Sequence, residues 1–175
     1  MPDGGLVGKT LLPGADDGWT RLPYDHPMTE HADRPVVTVL LAVVGAHLRG
    51  QPLHHQLTDR RAEFVTAAST APNYRLYALA TDPPKPGLVR VAHDDPTGAA
   101  IEVEVWSLGE TEFGSFVAAI PSPLGIGKVT LADGSEVSGF IVEPVATEGS
   151  TEITRYGGWR AYLAQGATDG EHMGG

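Results

Sequence analysis

The residues Val36-Val37-Thr38-Val39-Leu40-Leu41-Ala42-Val43-Val44, running into Gly45-Ala46-His47-Leu48-Arg49-Gly50-Gln51-Pro52-Leu53, decide the fold. A β-branched, apolar run with no polar alternation marks a strand covered on both faces. It is therefore expected at the centre of a sheet. Gly45 ends it. Pro52 opens a short helix whose buried edge is Leu53 and Leu57, spaced i, i+4.

Outward from this junction the chain alternates. Phe64 to Thr70 reads as a strand, then a turn at Ala71-Pro72-Asn73 and a strand over Tyr74 to Ala80. Asp82-Pro83-Pro84-Lys85-Pro86-Gly87 must be a loop, because successive prolines withhold the amide protons of regular structure. Short strands follow at Leu88 to Ala92 and Ala100 to Leu108. Phe113, Phe116, Val117 and Ile120 have helical spacing. Gly125-Ile126-Gly127 reads as a turn. Lys128 to Leu131 and Glu136 to Glu143 flank Ala132-Asp133-Gly134-Ser135, a hairpin signal with Asp-Gly at its tip. Trp159 to Ala164 closes the domain as a short helix packed on the core. Strands outnumber helices, which predicts an α+β domain built as a small mixed β-barrel with short flanking helices.

Residues 1–34 are rich in Gly, Pro and Asp without a sustained period and are expected to form an irregular arm. The domain is expected over 35–165, with a flexible tail over 166–175. A net charge of −10 argues against a nucleic-acid or anionic-membrane partner, since both demand basic surface. With no cysteine there is no disulfide, thiolate zinc site or cysteine nucleophile. Met1 to Gly14 lacks the apolar core of a signal peptide, so a soluble cytoplasmic protein is expected. No cofactor is expected. Gly8-Lys9-Thr10 ends like a phosphate-binding loop, but Asp3 stands where its first glycine belongs. His54 and His55 are adjacent and diverge on a helix, so no metal site is expected.

The chemistry concentrates at Gly45 to Gly50. A strand ending in glycine before a proline-started helix can present successive N–H groups to an anion. His47 lies inside that junction, either as a hydrogen-bonded cap of the strand end or as a proton-transfer group. Glu102 and Glu104 share one strand face and read as its solvated side, with Glu104 the alternative pocket carboxylate. Arg75 and Tyr77 share a face that would orient an anion or simply stack at the surface. Lys85 either closes over a pocket or is an ordinary exposed lysine.

Several segments resemble the C-terminal domain of allophanate hydrolase. They are Leu41 to Leu53 with His55-Gln56-Leu57, Tyr74 to Leu79 after Ala71-Pro72, and Lys85 to Arg90. Ile101 to Trp106, Pro121 to Gly127 with the Asp133-Gly134 hairpin, and Gly157 to Leu163 complete the set. The motifs run in order over about residues 36–164. More distantly the family is similar to the γ-glutamylcyclotransferase-type small barrel. The resemblance implies a domain that promotes loss of CO₂ from N-carboxycarbamate, the product an amidase leaves, with the histidine matching His47 as base. On this expectation Gly45, Ala46, Leu48, Arg49, Tyr77, Lys85 and Glu104 bind the small anionic substrate, the amides around Ala46 and Leu48 holding a carboxylate. The alternative is a non-catalytic accessory domain that docks on a separately encoded amidase or forms a homodimer. No amidase portion lies in these residues. Position 54 is His where the family pattern Pro-Leu-Asn has Asn. Ile120-Pro121 replaces the cyclotransferase's catalytic Glu, so cyclotransferase activity is not expected.

Overall fold

The computed structural model describes residues 37–82 and 84–170. The expected arm over 1–34 lies outside them, as do residues 171–175. Strand β1 (Thr38–Val43) forms as expected. It is central, antiparallel to β5 (Glu102–Gly109) on one side and parallel to β7 (Glu136–Val142) on the other. Leu41, Ala42 and Val43 are all buried. Two covered faces require an apolar residue at every position, and this half of the strand meets that, whereas Thr38 and Leu40 at its start are exposed.

The sheet is completed by β2 (Glu63–Ser69) beyond β5 and β6 (Leu124–Thr130) beyond β7, in the order β2-β5-β1-β7-β6. A second sheet has the order β4-β3-β8, from β3 (Tyr74–Ala78), β4 (Pro86–Arg90) and the two-residue β8 (Thr151–Glu152). The helices are short: α1 (His55–Thr58), α2 (Glu110–Ala118) and α3 (Trp159–Gly170). The α+β class and the mixed pairing hold.

The barrel does not close. Closure would join edge strands β2 and β6, and they meet only at one end. There Thr70 bridges Leu131, the Ala71 N–H donates to the Thr130 carbonyl at 2.9 Å, and the Ala132 N–H to that of Ser69 at 2.9 Å. Past this bridge the chain leaves the edge of β6 at the Ala71-Pro72-Asn73 turn and runs into β3. Side chains join the two sheets there. The fully buried Tyr74 hydroxyl accepts from Arg90 Nε at 3.0 Å and from the Thr130 amide at 2.9 Å, while Arg90 Nη2 donates to the Lys128 carbonyl at 2.6 Å.

Three local expectations are corrected. Gly125-Ile126-Gly127 is not a turn but the start of β6, paired with Ile141, Phe140 and Gly139. A Cβ on Gly127 would lie 2.8 Å from Ile141 Cδ1, so this glycine admits a close neighbour rather than a reversal. Helix α3 continues to Gly170, past the expected end at Ala164. Glu104 is not solvated: it is 1% exposed, because the Arg49 loop and α3 cover that face of β5. The Asp133-Gly134 hairpin forms as read, with Gly134 at φ +85°.

Candidate functional site

Beyond β1 the chain makes tight turns. The Leu48 N–H donates to the Gly45 carbonyl at 2.9 Å, and the Leu53 N–H returns to Ala46 at 2.8 Å. Gly45 is packed against the Pro86 ring so closely that a Cβ would collide with its Cγ. That approach brings the Lys85-Pro86 segment beside His47. Helix α2 starts just after its N-cap Gly109, with Glu110 and Glu112 in its first turn, where acidic side chains complement the helix dipole. It ends before Pro121. Its last residues and β7 complete a cavity of about 310 Å³.

The floor carries Val44, Gly45, Ala46 and His47, with Leu53 and Gln56 from the α1 segment. Lys85 and Pro86 form one side. Phe116, Ala119, Ile120 and Pro121 form another, closed by Leu124 and Phe140. Among the described residues no carboxylate lines it. His47 is held on three sides. Its ring stacks on Phe140 (5.1 Å between centroids, 17° between planes) and meets Phe116 edge-on at 5.2 Å. Nε2 donates to Gln56 Oε1 at 3.0 Å, which puts the neutral ring's lone pair on Nδ1. Burial holds the His47 pKa below its ordinary 6.5, against the Gln56 hydrogen bond that raises it, with smaller repulsions from His55, Arg60 and Lys85. At neutral pH the ring is an uncharged base.

Of the expected site residues, Gly45, Ala46, His47 and Lys85 come together on the cavity wall. Leu48, Arg49, Tyr77 and Glu104 do not line it. Leu48 is fully buried and its amide is spent on Gly45, so it has no donor for a carboxylate. The Arg49 guanidinium lies 3.7 Å from the Phe64 ring centroid and bonds Glu104. Tyr77 sits under Arg75 at 5.3 Å, and Arg75 pairs with Glu152 at 2.6 Å: the surface stack, not an anion site.

Glu104 instead anchors the His47 loop. Its carboxylate accepts from the Arg49 amide (2.9 Å), Arg49 Nε (3.1 Å), Arg160 Nη2 (2.8 Å) and Trp106 Nε1 (3.3 Å). Burial pushes its pKa up, but the bonds from Arg160 and Arg49 outweigh this and hold it below the usual carboxylate value. Arg160 also donates to Glu102 and to the Arg49 carbonyl. Sequence reading passed over Gln56, Phe116 and Phe140. Gln56 lay within a quoted motif. The two phenylalanines carried only a core signal, since nothing local reveals that α2 and β7 converge on His47. Among the described residues, no group of three or more acidic or histidine side chains is placed to hold a metal ion, and no helix is long and apolar enough to cross a membrane.

An open two-sheet α+β domain with a half-buried histidine, uncharged at neutral pH, in a cavity of about 310 Å³ is thus the class that fold and site define. The family model for the allophanate hydrolase C-terminal domain matches residues 39–164. The chain belongs to that family. It is 45% identical over 133 residues to urea amidolyase of Saccharomyces cerevisiae, a match covering 74% of this chain and 7% of that one. Allophanate hydrolase of Kluyveromyces lactis superposes with a TM-score of 0.70 at 45% identity, over 74% of this chain and 21% of that one. A uropathogenic E. coli-specific protein matches at 38% identity and TM-score 0.67, over 73% of this chain and 97% of that one. The chain therefore spans less than a tenth of the curated relatives it matches.

Proposed function

We propose that this domain binds a small N-carboxylated carbamate in urea- or allophanate-type degradation and promotes its decarboxylation, with His47 as the base. One observation carries the reading: a neutral imidazole, fixed through Nε2 by Gln56 and between Phe116 and Phe140, lines a cavity shared with Lys85. In the monoprotonated substrate ⁻O₂C–NH–CO₂H, Nδ1 takes the carbamic-acid proton and returns it to nitrogen. The C–N bond breaks with its electron pair remaining on nitrogen, giving CO₂ and carbamate. Lys85 supplies the charge that holds the remaining carboxylate. The imidazolium formed in passing is disfavoured by burial, so the proton is handed on readily.

The test couples a separate amidase and allophanate to this protein, following CO₂ and the second ammonia. His47→Asn keeps bulk and one hydrogen bond but removes proton transfer. It is expected to fold, bind a dicarboxylate such as malonate, and lose about 10²–10⁴-fold of the acceleration. A wild-type protein that adds nothing to the amidase, with no His47 resonance moved by malonate, would leave the accessory-domain reading. The relatives favour that second reading in one respect. In urea amidolyase the matching region is one part of a much longer chain, as befits a domain that works beside an amidase. Direct binding to an amidase, or self-association, measured by sedimentation distinguishes it.

A further inference from the structure

Two of the groups that hold His47, Gln56 and Phe116, belong to different elements. Gln56 rides on α1, a single turn whose N-cap His54 makes no side-chain cap bond. One turn has almost no helical stability of its own. Leu57, fully buried, pins it to the core, but an apolar contact has no direction and leaves the turn free to tilt. The side chains of His55 and Thr58 bond within the segment, to the carbonyls of Pro52 and His55.

Arg60 spans the gap to α2. Its Nη1 donates to the Gln56 carbonyl at 3.0 Å, and its Nε donates to Ser115 Oγ, 55 residues away, at 2.9 Å. Ser115 Oγ in turn donates to the Glu112 carbonyl at 3.0 Å, inside α2. The guanidinium carbon lies 5.7 Å from the Phe116 ring centroid, within reach of its π face. A planar fork that answers two acceptors at once fixes their separation, which a single ammonium on a flexible stem does less well.

We propose that Arg60 is a positioning residue for His47: by clamping α1 to α2 it keeps Gln56 and Phe116 fixed against the imidazole, although it does not itself line the cavity. Its bearing on activity rests on the decarboxylation reading; its hold on the ring does not.

The test follows solvent exchange of the His47 Nε2 proton in the whole chain, at a pH above the ordinary histidine value of 6.5. The Ala42 amide in β1 serves as the monitor of global opening. Arg60→Met keeps an apolar stem and loses the fork. Ser115→Ala frees the α2 end and suits an exposed helix position. Each is expected to speed ring-proton exchange about three- to tenfold, the strength of one hydrogen bond, while Ala42 stays within about twofold. Together they should do no more than either alone, because each breaks the same tie. Arg60→Lys should fall between wild type and Arg60→Met. In the coupled assay Arg60→Met should lower kcat by a similar factor and leave KM nearly unchanged. Ser115→Ala decides the matter should Arg60→Met fail to fold. Equal acceleration at the ring and at Ala42, additive effects of the two substitutions, or an unmoved ring proton overturns the proposal. So does a wild-type ring proton that exchanges like that of free histidine. A wild type that releases no extra CO₂ while the exchange pattern holds removes the decarboxylation reading and leaves the clamp. Accelerated CO₂ release with an unmoved ring proton does the reverse.

Discussion

The residue that controls the site without touching the cavity is Glu104. A carboxylate at 1% exposure would be costly alone, yet four donors converge on it from the Arg49 loop, α3 and Trp106. Its purchase on the Arg49 amide fixes a residue two positions from His47. Glu104→Gln keeps the shape but replaces one acceptor oxygen by a donor facing arginine, and should cost about 1.5–3 kcal/mol, the value of hydrogen bonds to a charged group. Glu104→Ala should cost about 3–5 kcal/mol by leaving buried partners unanswered. Chemical denaturation measures both, and a loss under about 0.5 kcal/mol, the level of ordinary surface substitutions, would refute the anchor.

Between elements, the decisive join is Tyr74. Strands β4 and β6 belong to different sheets, and the phenol oxygen of Tyr74 accepts from Arg90 of the one and Thr130 of the other. Tyr74→Phe removes that acceptor and strands the Thr130 amide in a covered position. A loss of about 1–3 kcal/mol is expected, the cost of an unsatisfied buried donor. Amide exchange at Thr130 should speed up more than exchange in β1, because β1 keeps ladders on both sides. Equal acceleration in both strands would count against a local role.

For the molecule as a whole, stability should fall on acidification in two stages. His47 has a folded pKa below the unfolded 6.5. Its contribution is complete above that value and declines as pH drops, because the unfolded chain takes up the proton first. Glu104, also depressed in the fold, contributes fully above 4.5 and is lost as pH falls through its folded pKa. Denaturation midpoints across the acid range check this, and His47→Asn should flatten the upper stage. A second expectation concerns extent. The buried cluster of the described residues runs from Leu41 to Trp159, so removing residues 1–34 should leave a cooperative melt. Loss of the near-UV signal on truncation would place the domain boundary earlier.

Local pattern alone determined what local forces control. The apolar β-branched run to Val44 specified a central strand, covered on both faces over Leu41 to Val43 but not at Thr38 and Leu40, Asp133-Gly134 specified a hairpin through its need for positive φ, and Gly45 to Pro52 marked the junction that holds His47. The family resemblance followed from the same segments in order. Tertiary structure decided the rest. Whether β2 and β6 close a barrel depends on two edges far apart in sequence, and these meet only at the Thr70–Leu131 bridge before the chain turns away into β3. Glu104 read as solvated because alternation along β5 cannot reveal that Arg49 and Arg160, 55 and 56 residues away, will cover it. The same limit hid Phe116 and Phe140. Each carries an ordinary core signal, and only the packing of α2 and β7 against the loop turns them into the walls that keep His47 neutral.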